Sequence, residues 1–286
     1  GNGSEWSDAA VSEPAATSGV DPVRRIEELR VSHSLEGLEL RLTLDELSDP
    51  VAWDRMNALF TIGVRGESTT LPLDTGATAV ADFAVHLAGE SNSRLLVESS
   101  YDAFAREFGT IPDLPIPDYR TGSAGFVPVR EPITLGYTVP ATGEEVPFEA
   151  VETGQLTFGN GDPSAAEYNS LTDVHVNPSA RTIEVRLPWV LLNVADPSTK
   201  QRIASEWDDG LDTVSFESVS VGAATYRPDG DGQAAAVSGE TSITHAVPGL
   251  TNGELNTTEY GWETWSDVAY TERLKQSYHV LEDDWG

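Results

Sequence analysis

Leu38, Leu40, Leu42 and Leu44 alternate with Glu39, Arg41 and Thr43. A period of two with one greasy face predicts a half-buried strand. Leu29 and Val31 lie on a preceding strand, with a turn at Glu36-Gly37 between them. Asn57 to Val64 reads as another strand, with Phe60, Ile62 and Val64 in phase. Ala81, Phe83, Val85 and Leu87, a turn over Gly89 to Asn92, then Leu95 and Val97, predict a hairpin. Val174 to Leu187 predicts a second hairpin around Asn177-Pro178-Ser179-Ala180. In it Ile183, Val185 and Leu187 face the core, while Glu184 and Arg186 share the other face and can pair across strands.

Pro188 stops that strand, and Trp189 to Val194 predicts a short helical turn ended by Asp196-Pro197. Ser198 is then positioned to cap a helix through Ile203 to Trp207. Val214, Phe216, Val219 and Val221 suggest late strands, His245 to Thr258 is turn-rich, and Tyr270 to Leu281 suggests a terminal helix. Ile111 to Pro128 carries Pro112, Pro115, Pro117 and Pro128, so it reads as a long ordered loop rather than part of a sheet. Short strands spaced by roughly 8–12 residues, with glycine and proline turns, predict an all-β, antiparallel β-sandwich with long loops and a few short helices. The expected division is an N-terminal arm or linker over 1–20, the sandwich over 21–245 and an extension packing on it over 246–286.

Charge narrows the function. Among 286 residues, 47 Asp+Glu face 17 Lys+Arg, a net charge of −30. Such a surface repels phosphate, which argues against nucleic acid and anionic lipid heads as partners. No apolar run approaches the roughly 18 residues of a membrane-spanning helix, so no membrane insertion is expected. Only Lys200 and Lys275 are lysines. Acid excess with so little lysine suits concentrated salt, where the Debye length shrinks to about 3 Å and self-repulsion is screened. With no cysteine, disulfides, thiolate catalysis and cysteine metal sites are excluded. Asn2-Gly3-Ser4 and Asn256-Thr257-Thr258 fit the N-glycosylation pattern, which agrees with an extracellular or cell-surface location.

Signatures of catalysis are missing. The chain has no phosphate-binding glycine loop, no H-E-x-x-H and no G-x-S-x-G, and its five histidines are scattered singly. Binding chemistry offers more. Trp189, Trp207, Trp262, Trp265 and Tyr270, with Trp53 behind them, could cover the apolar faces of a sugar while polar side chains bond its hydroxyl rim. The same rings could instead be core, since aromatics dominate cores by area. Two acidic loops, Asn160-Gly161-Asp162 and Asp229-Gly230-Asp231-Gly232, are candidates for structural Ca²⁺ or plain turns.

Three stretches carry a resemblance. They are Leu96-Val97-Glu98-Ser99-Ser100-Tyr101-Asp102-Ala103-Phe104, the segment from Val151-Glu152-Thr153-Gly154 through Tyr168-Asn169-Ser170-Leu171-Thr172-Asp173, and Ile183-Glu184-Val185-Arg186-Leu187-Pro188-Trp189 with Asp196-Pro197-Ser198-Thr199-Lys200. Together with the tail from Tyr270 to Tyr278, the chain resembles β-sandwich domains related to carbohydrate-binding modules of family 9 and DOMON-like sandwiches. The resemblance implies a jelly-roll type sandwich at the end of a large extracellular or envelope polypeptide, with sugar held between aromatics and structural calcium. Two functions are therefore expected: a secreted, salt-adapted, non-catalytic carbohydrate-binding module, or a structural subunit of an extracellular filament or surface layer. The second would self-associate through the arm, its alanines and valines adding a strand to a neighbour's sheet with Trp6 as anchor.

The net charge makes stability salt-dependent. Circular dichroism melts between about 3 M and about 0.05 M salt are expected to show a falling melting temperature and loss of structure at the dilute end. An unchanged spectrum and melting point across that series contradict the charge argument.

Overall fold

The structure is a computed structural model that describes residues 6–15, 18–109, 124–205, 211–236 and 241–266. The chain opens with β1 (Ala10–Ser12), β2 (Ile26–His33) and β3 (Gly37–Leu44). Next come β4 (Asn57–Gly63), two short strands, β5 (Ser68–Thr70) and β6 (Thr78–Val80), then β7 (Phe83–Leu87) and β8 (Arg94–Glu98). A short helix, α1 (Ala103–Phe108), precedes β9 (Phe126–Pro128) and the pair β10 (Arg130–Thr138) and β11 (Glu145–Glu152). After these lie β12 (Val174–Asn177), β13 (Thr182–Pro188), β14 (Val194–Asp196), β15 (Gln201–Ile203) and β16 (Thr213–Ser215). The chain continues with β17 (Val219–Tyr226), β18 (Ile243–Val247), β19 (Leu250–Thr251), β20 (Glu254–Leu255) and β21 (Thr258–Tyr260).

The fold is all-β, with two main antiparallel sheets facing each other. One has five strands in the order β1-β2-β3-β13-β12. The other has seven, β18-β17-β4-β7-β8-β9 with β21 also pairing β17. Leu38, Leu40, Leu42 and Leu44 of β3 are fully buried between them, beside Ile183, Val185 and Leu187 of β13. Opposite stand Phe60 and Ile62 of β4, Phe83 and Val85 of β7, and Val219 and Val221 of β17. Burying each of these leucines contributes about 2 kcal/mol of transfer free energy.

The two sheets differ in their outer faces. On β3 and β13 the alternation leaves Glu39, Arg41, Glu184 and Arg186 half-exposed. Every residue of β4, β7 and β17 is buried. A second cluster explains this: Leu59, Ala84, Ala224 and Tyr226 on the outer face pack under Leu71, Ala77, Ala79 and Leu255. These belong to a small sheet, β19-β20-β6-β5, and its connections. A strand covered on both faces loses its alternation and reads as an apolar run.

Polar groups inside this double-sided sheet are paired. Asp82 is fully buried, and its Oδ2 accepts the backbone N–H of Val64 and Arg65 at 2.6 and 2.8 Å. Its Oδ1 takes Arg65 Nε at 2.5 Å, and Arg65 Nη2 reaches Glu98 at 3.2 Å. The guanidinium also lies 4.5 Å from the centre of the Tyr101 ring. One arginine thus ties the end of β4 to the start of β7 and the end of β8. On the outer side, the Tyr226 hydroxyl and His86 Nε2 lie 2.8 Å apart. Burial holds His86 well below its ordinary value, down to about 4, with Arg94 adding to the effect. Burial pushes Tyr226 up to about 12. His245 Nδ1 accepts the Ile26 N–H at 3.0 Å, so that ring is neutral at this nitrogen, and burial lowers its pKa as well.

Several expectations need correction. The N-terminal arm is not left for a neighbour: Ala10, Val11 and Ser12 pair with Val31, Arg30 and Leu29 of the chain's own sheet. Trp6 is buried, with Arg41 stacked 4.8 Å from its centre. The helix expected through Ile203 is absent, because Gln201–Ile203 is a strand. Asp196 decides this: its carboxylate accepts Ser198 N and Oγ and Thr199 Oγ1, closing a turn that sends β14 back into β15. The helical turn after Pro188 covers only Trp189–Leu192, and left-handed Asn193 (φ 54°) ends it before Asp196. Of the proline-rich segment, 110–123 lies outside the described residues, and Phe126–Pro128 is an edge strand on β8. The hairpin β10–β11 was not anticipated. Nor does the division at 245 hold as a boundary, since β18 crosses it and β21 completes the seven-stranded sheet. The expected helix from Tyr270 to Leu281 falls outside the described residues.

The buried neutral histidines set the sign of the acid response. His86 binds its proton more weakly folded (about 4) than unfolded (6.5), so its contribution is full above pH 6.5 and drains away as pH falls toward 4. Between pH 7 and 5, at fixed salt, His86 alone is expected to remove about 2 kcal/mol. Urea unfolding at the two pH values measures it, and His86→Gln is expected to flatten the slope. A stability that is level or rises on acidification to pH 5 defeats this account.

Candidate functional site

Of the five candidate aromatics, three are brought together and two, Trp207 and Tyr270, lie outside the described residues. Trp262 is the centre of the group, with ring centroids 5.1 Å from Trp189, 5.2 Å from His33 and 5.7 Å from Phe216. Trp265 stacks on the far side of His33 at 5.8 Å. Trp189 and Trp262 are buried, and each indole N–H donates to a backbone carbonyl, of Ser34 at 3.1 Å and of Pro197 at 2.8 Å. His33 Nδ1 and the Tyr260 hydroxyl lie 2.7 Å apart. Satisfied N–H groups and covered ring faces make this cluster core, the alternative that aromatic area itself favours. Of the three tryptophans so placed, only Trp265 keeps partial exposure, and His33 beside it is also partly exposed. Trp53 rests half-buried with its edge against Phe158, 6.1 Å away.

The two acidic loops are closed turns. Asn160 Oδ1 accepts Asp162 N at 2.9 Å, and Asp162 Oδ1 accepts Ser164 N and Oγ at 2.8 and 2.7 Å. Those bonds to Ser164 hold the Asp162 carboxyl below the usual range. Asp229 Oδ1 accepts both Asp231 N and Gln233 N, at 2.8 and 3.0 Å. Among the described residues no group of three or more His, Asp or Glu is arranged to hold a metal ion. Asn256 is exposed on the surface with its amide on Thr251 Oγ1, and Asn2 lies outside the described residues.

The first of these loops borders a cleft that the sequence did not single out. On the outer face of the five-stranded sheet, Glu184 stands opposite Arg41 on one side and His175 on the other, and Arg186 opposite Glu39. Residues 159–173 lead into β12 and loop out beside its start: Gly159 N bonds Val174 O, and Asp173 and Val174 N both bond Thr157 O. A Cβ at Gly159 would sit 2.6 Å from Thr172 Oγ1, so a glycine lets this loop close onto the strand. Between loop and sheet lies a cleft of about 170 Å³, lined by Trp6, Glu39, Asp162, Asp173, His175, Glu184 and Arg186 among others.

Its chemistry is dominated by acceptors. Trp6 Nε1 donates to Glu184 Oε1 at 3.1 Å, and Arg41 lies 3.7 Å from the same oxygen. Burial raises the Asp173 carboxyl, opposed by the bond from Thr157 N and by Arg186. Arg186 spends its guanidinium on Glu36 and the Ser170 carbonyl, at 3.2 and 3.3 Å. His175 Nδ1 is 2.9 Å from the Gly159 carbonyl. A carbonyl can only accept, so Nδ1 carries a proton. Four carboxylates line the cleft, while the Arg41 and Arg186 guanidinium groups are engaged at its edges, and this suits a ligand rich in O–H or N–H donors.

Glu184 and Arg186 were legible as an outward pair, but not as the floor of a cleft. The signal that could have found them is the matching Glu-x-Arg in β3 and β13, which the register sets side by side. Nothing local marks Trp6 or His175.

No protein-family model matches the chain, and no curated protein is similar to it.

The core assignment of Trp262 is testable. Trp262→Ala is expected to cost about 3–5 kcal/mol in chemical unfolding, as for other buried aromatics. A variant as stable as the parent would return Trp262 to the list of surface ligand contacts.

Proposed function

We propose that this chain is a non-catalytic β-sandwich module that binds a hydroxyl-rich, saccharide-type ligand in the cleft between β12, β13 and the 159–173 loop. One observation carries the reading: an open cleft on a sheet face whose lining holds the four carboxylates of Glu39, Asp162, Asp173 and Glu184. Carboxylates accept from the hydroxyl rim of a sugar, and the exposed ring of Pro163 meets its C–H groups. The side chains that could move protons are engaged otherwise. Glu184 holds Trp6 and Arg41, Asp173 accepts Thr157 N, and His175 is bound to Gly159. That supports binding over catalysis. The resemblance to family 9 carbohydrate-binding modules and DOMON-like sandwiches points the same way. The acidic surface and the exposed Asn256 acceptor suit an extracellular, salt-rich setting.

Titration with neutral oligosaccharides in about 1 M salt, followed by tryptophan fluorescence, tests the proposal. A saturable change is expected, weakened at least tenfold by Glu39→Gln and by Glu184→Gln with melting temperatures checked in parallel. A response indifferent to both substitutions, or none across a broad glycan panel, would remove the cleft as a sugar site.

A further inference from the structure

A second pocket lies beside the β8–β9 edge of the seven-stranded sheet, between α1, the start of β10 and the turn Trp189–Leu192. Its volume is about 210 Å³, and it shares no lining residue with the cleft. Phe83 and Val97 of the main core, Phe104 of α1, Val129 and Leu191 give it an apolar wall. Val190, 74% exposed, and the exposed Glu131 also line it, so it opens to solvent.

Polar atoms stand in this wall without partners. Among the described residues nine buried side-chain N and O atoms make no hydrogen bond, and three of them, Asp102 Oδ2, Arg130 Nε and Thr153 Oγ1, belong to residues lining this one pocket. Five of the nine are arginine Nε atoms, so the carboxylate and the hydroxyl are the telling pair. Asp102 is only 4% exposed. Its other oxygen, Oδ1, accepts Phe104 N at 3.1 Å and caps α1, so capping does not use Oδ2. Arg130 is held over the Phe104 ring, 5.1 Å from its centre. Thr153 is fixed by its backbone, since its N–H and that of Gly154 bond Val129 O at 3.0 and 3.2 Å. All three side chains are thus positioned by contacts that leave these atoms idle, and an idle buried polar atom is destabilising.

The three atoms specify a head group. A carboxylate only accepts, arginine Nε only donates, and a threonine hydroxyl does either. An ammonium ligand would suit Asp102 but meet Arg130, and a carboxylate ligand the reverse. A neutral hydroxyl donates to the acid and accepts from the other two with a single oxygen. Size sets the rest. An apolar cavity of about 150 Å³ takes up benzene, so this pocket has room for a ring with a short hydroxyl-bearing substituent.

We propose that the pocket between α1, β10 and the Trp189–Leu192 turn binds a small neutral amphiphile, an alcohol or phenol whose hydroxyl bonds Asp102, Arg130 and Thr153 and whose apolar body lies against Phe83, Phe104 and Leu191. This site is independent of the cleft and of its ligand.

The probe is benzyl alcohol, titrated by calorimetry into the full chain in about 1 M salt, where the acidic surface is screened. A saturable heat is expected, with toluene, benzylamine and benzoate each bound at least tenfold more weakly. Thr153→Val removes the hydroxyl at nearly constant volume. Because that hydroxyl is unbonded in the free protein, the variant is expected to melt no lower than the parent while binding benzyl alcohol at least fivefold more weakly. Asp102→Asn keeps the capping oxygen but removes the charge. It is expected to weaken benzyl alcohol at least fivefold and to strengthen benzoate at least fivefold, a reversal that a purely structural role for Asp102 would not produce. No heat with benzyl alcohol means that the pocket holds only water and overturns the proposal. So does toluene, benzylamine or benzoate binding to the parent as tightly as benzyl alcohol, because the polar atoms would then select nothing. Parent-like affinity for benzyl alcohol in either variant puts the probe elsewhere and overturns it as well. A lowered melting temperature of ligand-free Thr153→Val shows the hydroxyl bonded within the protein, with the same consequence.

Discussion

Covering both faces of one sheet is the constraint from which the remaining architecture follows. β4, β7 and β17 are buried throughout their length, so the seven-stranded sheet has no face to give to solvent. Each face needs its own cover. The five-stranded sheet covers the inner one with the leucines of β3. The outer one is covered by a minor sheet whose contribution is small, mostly Ala77, Ala79 and Leu255. Alanines let the layers approach closely, and Gly222 on β17 does the same: a Cβ there would lie 2.9 Å from the Asn256 carbonyl. Polar groups trapped by this arrangement are costly unless bonded. Asp82, Arg65 and Glu98 meet that cost jointly, and His86 with Tyr226 meets it as a neutral pair.

The same constraint directs where chemistry can be placed. With one sheet sealed, the outer face of β2, β3, β13 and β12 is the broad sheet surface left for charged side chains. There the strands run Arg30, Arg41, Glu184 and His175 in one row across the sheet. Glu184 offsets Arg41 and Glu39 faces Arg186 in register, Arg30 opposite Arg41 pairs with Glu28 on its own strand, and the loop after β11 folds over the β12 end to make a cleft. A site on regular strands holds its side chains in place better than one on loops alone. The cleft is therefore a product of the sandwich, not an addition to it.

How far the sequence carried depends on where alternation survives. Leu38 to Leu44 and Ile183 to Leu187 face solvent on one side, and there the pattern named the buried face and the hairpin neighbour, though not the pairing of β3 with β13. In β17 the run Val219 to Tyr226 is buried on both sides, so periodicity found only its first half. β10 and β11 failed for the opposite reason: exposed on both faces and interrupted by Pro132 and Pro147, they carry no core-facing stripe. The Asp196-Pro197-Ser198 segment misled because Ser198 is a good helix cap in isolation, whereas Asp196 claims its N–H and hydroxyl. For the site, aromatic content pointed to Trp189 and Trp262, which tertiary packing had already consumed. The cleft residues are spread from Trp6 to Arg186, and only the sheet register assembles them.

The distribution of apolar surface sharpens the contrast between the β10–β11 ribbon and the cleft. A chain with a net charge of −30 has ample means to keep a protruding ribbon polar on both faces. It does not: Val151 stands exposed on the Thr134 and Glu149 face, and Leu135 and Tyr137 on the other, beside Phe148. Single exposed apolar residues require no explanation, but a contiguous stripe on an amphipathic ribbon does. Folding does not supply one, since the ribbon lies outside the main core. Among the described residues, only Phe104 joins it to the rest by ring contact. Solubility argues against it. Prolines on both edges further show that unrestricted strand pairing is resisted in the same ribbon that exposes its greasy face. The cleft differs in kind: acceptor-rich and built on regular strands, it is suited to a small polar ligand.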